Sequence, residues 1–443
     1  MTLDDGGMRE PEATWSSEEG GRGLPSVAWH GLRMQTTILA FLVLTVQMVP
    51  SLPFYFGIAG SLAAGMVVAA GICILTVAIS WAISSQGSGT SLSMASADAL
   101  VLVLMVTTAV VLHGVVADQI IPLDSGRFLA SLIPLVLLLC GALALSIALR
   151  GATQRQIAVV CWISFWAFCI VIFLKITGLQ PRGHALEKST FPFAETSHFA
   201  LAFGPILVFR CASARQSRRN LWVIFGFALA VVLRSGTLMA FAFIGALVSR
   251  RLLIVLAATA AVLLVGLAVD LKYFTSRADI SSHSKNISAL VYVEGWEMLA
   301  RSLKLSDGWG IGFQQLGVHG SNVTVAETIR HLTDGESLNV TDGSFVLAKF
   351  GSEFGIFGLA LVLLYCVGAF RSLLVLRSGR GLPRSVLAHS VIVGYGVNMF
   401  VRAAGYFTEA GLLFVAAALI LIPVGRVIKV GSNSARRSLL VLR

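Results

Sequence analysis

The chain has 443 residues, of which 56% are hydrophobic and only 12% are charged. The apolar fraction is far above, and the charge content far below, that of soluble globular proteins, which excludes a soluble enzyme and a nucleic-acid-binding protein. The formal net charge of +11 instead points to membrane topology and to affinity for anionic lipid or a diphosphate-bearing substrate.

The N-terminal segment, residues 1–33, contains several acidic residues and glycines but no apolar run. This composition predicts a disordered cytoplasmic tail rather than a cleaved signal peptide. The cysteines lie within or beside apolar runs further along the chain, which favours small buried hydrophobes over disulfides or metal ligands. We expect neither a metal site nor a cofactor.

The chain after residue 33 consists mainly of apolar runs close to the length, about 20 residues, that a helix needs to cross a bilayer. They predict an all-α, polytopic membrane protein with about twelve transmembrane helices. Three runs are short, since about fifteen residues rise only about 22 Å against a core of about 30 Å. The predicted helices occupy 34–56, 61–84, 96–117, 128–149, 156–178, the short runs 197–211, 220–234 and 235–249, and then 252–270, 344–370, 386–403 and 409–428.

One long polar segment, Leu271 to Asp342, separates the predicted helices of 34–270 from those of 343–428. Connections of this length are uncommon unless they are functional. The segment is therefore predicted to be a large periplasmic loop that takes part in the chemistry. Residues 429–443 are predicted to be a basic cytoplasmic tail.

The distribution of lysine and arginine predicts which connections lie inside the cell, because short cytoplasmic loops retain an excess of positive residues. With a cytoplasmic N-terminus, the arginine-rich connections are all inside and the C-terminus is cytoplasmic as well. The large loop, the connection before Ser197 and the turn from Arg402 to Glu409 then share the outer face. The arginine-rich connections are those at 150–155, 210–219, 250–251 and 371–384.

Residues 220–249 allow two interpretations, one long helix with Arg234 at its middle or a hairpin that turns at Arg234. The long helix would place the large loop in the cytoplasm. A charged residue at the bilayer centre costs on the order of several kcal/mol, which favours the hairpin.

Ionisable side chains on the predicted outer face are the candidates for chemistry. Planar guanidinium groups contact phosphate oxygens bidentately and stabilise the charge on a leaving diphosphate. The arginines predicted to bind a substrate diphosphate are Arg234, Arg277, Arg330 and Arg402. The candidates for proton transfer are His331, which is favoured as a base toward a sugar hydroxyl, Asp342 and Glu294. For the loop residues the alternative is a solvated charge without a catalytic role, and for Arg234 and Arg402 it is an interfacial arginine whose charged end reaches the membrane surface.

Two glycine-rich motifs flank the end of the loop. The run Gly308-Trp309-Gly310-Ile311-Gly312 follows no predicted strand, so it is not a phosphate-binding fingerprint and predicts a tight turn. The sequence Glu353-Phe354-Gly355-Ile356-Phe357-Gly358 has a glycine spacing that permits close helix packing.

Together these features resemble the O-antigen polymerase and ligase superfamily of bacterial inner-membrane proteins. The resemblance covers mainly Leu233 to Leu363 and implies an inverting, metal-independent glycosyl transfer that uses undecaprenyl-diphosphate-linked glycans on the periplasmic face. It rests on Arg234 to Thr237, Trp296, the "GWGIGF" run at Gly308 to Phe313, Thr341 to Ser344, and "EFGIFG" at Glu353 to Gly358.

The ligase branch of that superfamily typically has a His-Asn pair where this chain has Thr341-Asp342, so the resemblance favours a Wzy-type polysaccharide polymerase that joins lipid-linked repeat units. A flippase and a chain-length regulator are the implied protein partners. An O-antigen ligase-type transfer and a transporter of lipid-linked glycans are the alternatives, although a transporter would place ionisable residues at mid-membrane. A metal-dependent transferase is disfavoured because residues 51–60, the first predicted outer loop, contain no acid.

Overall fold

A computed structural model describes residues 26–84, 92–181, 189–249, 260, 286–319, 323–333, 335, 340–402 and 404–422. These residues are almost entirely helical and contain no strand, so the predicted all-α fold is confirmed. The helices are α1 (Ser26–Met48), α2 (Leu52–Tyr55), α3 (Leu62–Ser84), α4 (Leu92–Asp118), α5 (Ser125–Gly151), α6 (Gln154–Thr177), α7 (Thr196–Ser213), α8 (Gln216–Val232), α9 (Gly236–Val248), α10 (Ile287–Leu305), α11 (Thr324–Leu332), α12 (Val346–Ser378), α13 (Pro383–Phe400) and α14 (Glu409–Leu421).

Among the described helices, six spans are long and apolar enough to cross a membrane. They coincide with the first five predicted transmembrane helices and with the first one after the large loop. Two shorter apolar helices, α9 and α14, match further predicted runs. The predicted helix at 252–270 lies outside the described residues except for residue 260. The six spans are Met34–Tyr55, Leu62–Ala82, Leu100–Asp118, Ser125–Gly151, Gln154–Thr177 and Val346–Ser378.

Local sequence signals set several helix ends. Asp124 accepts a hydrogen bond from the backbone N–H of Arg127 at the start of α5. Thr153 and Gln156 form a reciprocal capping box at the start of α6. Such side-chain caps satisfy backbone donors that have no partner within the helix. The short connections of the bundle are therefore encoded locally, between runs whose apolar composition makes them helical.

One end of the helix bundle is strongly basic. The Arg384 guanidinium donates to the carbonyl oxygen of Ala152, Arg150 donates to carbonyl oxygens at the end of α14, and Arg219 lies against Gly379. These contacts join connections that the sequence predicts on the inside of the membrane. We call this the basic end and define it by Arg150, Arg210, Arg215, Arg218, Arg219, Arg380 and Arg384.

The opposite end carries carboxylates. The backbone N–H of Asp124 donates to the Gln315 side chain at 2.9 Å, which fixes the α4–α5 turn against the polypeptide that follows α10. The start of α7 and the end of α13 meet here through an ion pair between Glu195 and Arg402. We call this the acidic end and define it by Asp118, Asp124, Glu195, Asp342 and Glu409.

Helix α7 is the central helix of the bundle. Its residues from His198 to Phe209 are buried, and it packs against α8, α9 and α13. Gly204 lies against Phe241 and Gly245 lies against Cys211, so α7 and α9 run in the same direction. Because other helices surround it, α7 does not need the length of a lipid-exposed span.

The segment 220–249 is a hairpin in the structure. Helix α8 ends at Val232, α9 begins at Gly236, and the two pack side by side. Arg234 occupies the turn with a φ of 49°, and its side chain is exposed. Because α9 runs parallel to α7, this turn lies at the acidic end, as the hairpin interpretation requires.

The two glycine-rich motifs dock into each other. Helix α12 is interrupted at Gly355, whose backbone has a φ of 59° and a ψ of −138°. At this break the N–H of Ile356 donates to the carbonyl oxygen of Gly308 at 2.9 Å, and the N–H of Gly312 donates to that of Glu353 at 3.0 Å. Backbone groups freed by the break are thus paired with the turn, as buried backbone requires.

This docking changes the interpretation of the second motif. A Cβ built on Gly355 would lie 2.1 Å from the Gly308 oxygen, and one on Gly310 would lie 2.4 Å from the Glu353 oxygen. The sequence predicts that the glycine spacing lets two helices approach. At Gly355 the structure instead shows a loop entering a broken helix.

We expect Gly355→Ala to lower the free energy of unfolding by about 2 kcal/mol or more, because alanine disfavours a positive φ and its methyl group meets the docked turn. The measurement is thermal unfolding of the purified protein in detergent. Gly368→Ala is the matched control in the same helix, where a Cβ meets nothing within 4 Å. Equal melting temperatures for the two variants would contradict the docking.

Candidate functional site

The first segment of α12 brings two charged side chains into the interior at the acidic end. Lys349 is 1% exposed and Glu353 is fully buried, and the Lys349 Nζ lies 3.8 Å from the Glu353 Oε1. Lys349 also donates to the carbonyl oxygen of Thr341 at 2.6 Å and to the Gln314 side chain at 3.3 Å. A buried ion pair needs such additional partners to offset the loss of hydration.

Asp342 connects this buried pair to the surface. Its Oδ1 lies 3.6 Å from the Lys349 Nζ, and its side chain is 39% exposed. A Cβ built on Gly405 would lie 2.7 Å from that oxygen, so the carboxylate faces the connection between α13 and α14. Of the two carboxylates that face Lys349, Asp342 is therefore the one that a substrate can reach, since Glu353 is fully buried.

Tyr406 closes the cluster from the side of that same connection. Its ring lies 5.0 Å from the Lys349 Nζ, a cation–π distance, and its hydroxyl lies beside the Glu353 carboxylate. Burial, followed by the charge of Glu353, raises the pKa of Tyr406 well above its ordinary value. The phenol is therefore a neutral group at physiological pH.

A second ion pair borders the cluster. The Arg402 Nη2 lies 3.2 Å from the Glu195 Oε2, and the Ser197 hydroxyl donates to the same oxygen at 2.7 Å. Burial acts to raise the pKa of Glu195, but Arg402, His198 and Ser197 together bring it below its ordinary value. The pair is therefore ionised, and it holds the start of α7 against the end of α13.

His198 stands between the two ion pairs. Its ring is buried at the start of α7 and its Nδ1 makes no hydrogen bond within the described part of the chain. It is close enough to Glu195, Arg402 and Asp342 to interact electrostatically with each of them. We define the outer cluster as Glu195, His198, Asp342, Lys349, Glu353, Arg402 and Tyr406.

An apolar groove of about 740 Å³ begins at the outer cluster. Tyr406, Phe350 and Phe354 line it next to the cluster, and its walls come from α4, α5, α12, α13 and α14. From His113 to Leu102 the wall formed by α4 is about 16 Å long. The arrangement places a long apolar surface directly beside charged groups.

Two of the predicted site residues belong to the outer cluster. Asp342 and Arg402 come from different segments, and both interact with His198. The predicted contribution of Arg402 to diphosphate binding remains a prediction, and its guanidinium already contacts Glu195. An arginine has five N–H donors, so this contact leaves others for a ligand.

Glu294 and Arg330 form a different grouping. Glu294 lies on α10 and is 1% exposed, and the charge of Arg330 on α11 acts on its carboxylate. Burial, then the neighbouring Glu297 charge, raises the pKa of Glu294 to about 7, while Arg330 acts to lower it. These residues support the packing of α10 on α11.

The other predicted residues are not part of either grouping. His331 is exposed on α11, next in sequence to Arg330. Arg234 is exposed in the α8–α9 turn at the acidic end. Arg277 lies outside the described residues. In the part of the chain that the structure describes, no three His, Cys, Asp or Glu side chains are placed to share a metal ion, and all cysteines are free.

Sequence reasoning missed five residues of the cluster as functional candidates, namely Lys349, Glu353, Glu195, His198 and Tyr406. Lys349 and Glu353 are four residues apart in an apolar run, the spacing that pairs opposite charges on one helix face. An ionisable pair inside a predicted transmembrane helix is a functional signal. Glu195 and His198 carry no comparable signal, since only the fold brings them to Asp342.

We expect Lys349→Met to lower the free energy of unfolding by about 3 kcal/mol, because it leaves the Glu353 carboxylate buried without its cation. The double variant Lys349→Met/Glu353→Gln should recover at least half of that loss. Thermal unfolding of the single and double variants in detergent measures both effects. Additive losses in the double variant would contradict the coupling.

The raised pKa of Glu294 predicts a pH dependence of stability. The folded protein binds this proton more tightly than the unfolded chain, so its contribution to stability falls as pH rises from about 4.5 to about 7. In the wild type this effect should lower the free energy of unfolding by about 2 kcal/mol between pH 5 and pH 8, and Glu294→Gln should remove that decrease. The matched control is Glu327→Gln, at an exposed position on α11. Identical pH profiles for both variants would contradict the assignment.

Comparison with protein-family models and with curated proteins finds no match for this sequence.

Proposed function

We propose that this chain is a bacterial inner-membrane glycosyltransferase of the polysaccharide polymerase type. It joins repeat units of an O-antigen, exopolysaccharide or capsule that are carried on undecaprenyl diphosphate. The reaction takes place at the outer cluster, by inverting transfer that needs no metal ion.

The observation that carries this proposal is the direct junction between the apolar groove and the outer cluster. A lipid-linked glycan has a long apolar chain, a charged diphosphate and a polar sugar in that order. Ligand sites typically combine an apolar lining with a few placed polar groups. Tyr406 lines the apolar groove and also belongs to the outer cluster. A polyprenyl chain in the groove would therefore bring its diphosphate beside Arg402 and Asp342.

The charge distribution supports a periplasmic site. The basic end gathers the arginine-rich connections, as expected for the cytoplasmic side of an inner-membrane protein. The acidic end, with the outer cluster and the polar segment 286–342, then faces the periplasm. In this topology the chain has about twelve transmembrane helices and both termini are cytoplasmic.

The proposal assigns different roles to Asp342 and Arg402, which are both partly exposed. The Asp342 carboxylate accepts the proton of the acceptor hydroxyl, whose oxygen attacks the anomeric carbon of the donor sugar. The bond from that carbon to the diphosphate oxygen breaks, and Arg402 stabilises the charge on the leaving diphosphate. The buried Lys349 holds Asp342 in position at 3.6 Å.

The segment after α10 contributes to the site through position rather than charge. Its glycine turn docks into the break of α12 and fixes Glu353 and Lys349 below the reacting groups. Arg234 lies at the same end and is proposed as a second cation for the diphosphate. Precise placement of this kind is what orients a donor and an acceptor for transfer.

We expect Asp342→Asn to reduce polymerisation at least about a hundredfold, since a general base typically contributes that much. In a strain that lacks the native gene, single lipid-linked repeat units should accumulate when the variant is expressed at the normal membrane level. Arg402→Gln and Arg234→Ala should give the same products with a smaller loss.

Glu327→Gln, an exposed acid on α11, is the control that should retain full chain length. Wild-type chain lengths in the Asp342→Asn strain would contradict the proposed site. Reconstituted protein that moves a labelled lipid-linked glycan across vesicles without elongating it would contradict the proposed reaction.

A further inference from the structure

A polar cavity lies at the basic end, at the opposite end of the bundle from the outer cluster, where α7 ends and α8 begins. It has a volume of about 650 Å³, and no carboxylate is among the residues that line it. Its guanidinium groups make it strongly positive. The lining residues are Arg210, Ser213, Ala214, Arg215, Arg218 and Trp222.

Arg210 lies against two aromatic rings in this cavity. Its guanidinium carbon lies 4.8 Å from the centre of the Trp222 ring and 5.4 Å from that of the Phe165 ring. Its Nε is buried and has no hydrogen-bond partner within the described part of the chain. A buried donor without an acceptor is unfavourable, so an acceptor supplied by a ligand would complete this site.

The neighbouring Arg219 has a structural role, because its guanidinium donates to backbone carbonyl oxygens of the same chain. Its Nε donates to the carbonyl oxygen of Ala214 at 2.8 Å, and its Nη2 donates to that of Ala212 at 3.0 Å. These bonds satisfy the last carbonyl groups of α7. Arg215 and Arg218, in contrast, are exposed at the cavity.

The cavity adjoins a surface that suits lipid chains. Leu221, next to Trp222 in sequence, is 64% exposed, and Trp166, whose ring contacts that of Phe165, is 48% exposed. Trp166 lies about halfway along the membrane-capable helix Gln154–Thr177, at the depth expected for lipid chains. A molecule in the cavity can therefore extend an apolar part over these side chains.

We propose that this cavity binds a phosphate-bearing anion, either the headgroup of an anionic phospholipid or a soluble phosphate ester. Guanidinium groups contact phosphate oxygens bidentately, and the Ser213 hydroxyl adds a further donor at the same place. The site is separate from the proposed transferase chemistry. It anchors the α7–α8 connection at the basic end.

The test uses the full-length protein, purified in detergent and stripped of lipid. Binding is measured by native mass spectrometry and by the shift in melting temperature for phosphatidylglycerol, for phosphatidylcholine and for glycerol 1-phosphate. The double variant Arg215→Gln/Arg218→Gln removes two cations but leaves Arg210 in contact with the Phe165 and Trp222 rings. Arg380→Gln is the control, at an exposed position of the basic end that does not line the cavity.

We expect the double variant to bind phosphatidylglycerol about thirtyfold more weakly than the wild type, while Arg380→Gln binds it as the wild type does. If the wild type binds glycerol 1-phosphate much more weakly than phosphatidylglycerol, the ligand is a lipid headgroup. If it binds the two with equal affinity, the ligand is a soluble phosphate ester. The proposal would be overturned if the double variant bound phosphatidylglycerol as tightly as the wild type does. It would also be overturned if the wild type bound phosphatidylcholine as tightly as phosphatidylglycerol.

Discussion

The docking of the Gly308–Gly312 turn into the break of α12 is the constraint on which the rest of the acidic end depends. A helix that breaks inside an apolar bundle leaves backbone groups without partners, and water is not there to satisfy them. The turn supplies those partners through the carbonyl oxygen of Gly308 and the N–H of Gly312. The backbone of the turn and the backbone of α12 approach closely, so a side chain would not fit at Gly310 or at Gly355.

The break determines where the charges lie. The short segment of α12 before Gly355 carries Lys349 and Glu353 into the interior, close to Asp342. The segment after it continues as a long apolar helix and forms a wall of the groove through Phe357 and Leu361. One discontinuity thus contributes to both the polar cluster and the apolar surface beside it, the two features on which the proposed binding of a lipid-linked substrate rests.

Much of the fold follows from the sequence. Apolar runs of sufficient length predicted the five long spans before residue 178, and the cost of a buried arginine predicted the turn at Arg234. Both results depend on local composition and on the energetics of the bilayer. The grouping of the arginine-rich connections at one end agrees with the same principle.

The site was harder to predict because its geometry is not local. Asp342 and Arg402 were identified as candidates from charge and predicted sidedness. Glu195 and His198, which complete their surroundings, come from a distant segment without a motif. The four-residue spacing of Lys349 and Glu353 does indicate an ion pair on one helix face. The residues beside His331 in the sequence do not indicate that its side chain is exposed.

The central claim is that the groove and the outer cluster together hold a lipid diphosphate. The most direct test is photocrosslinking with a polyprenyl diphosphate that carries a photoreactive group in its chain, followed by peptide mapping. The account predicts labelling on α4 between Leu102 and His113 and on α12 between Phe350 and Leu361, with competition by unlabelled polyprenyl diphosphate. Competable labelling confined to α8 and α9, with none in the groove, would contradict it.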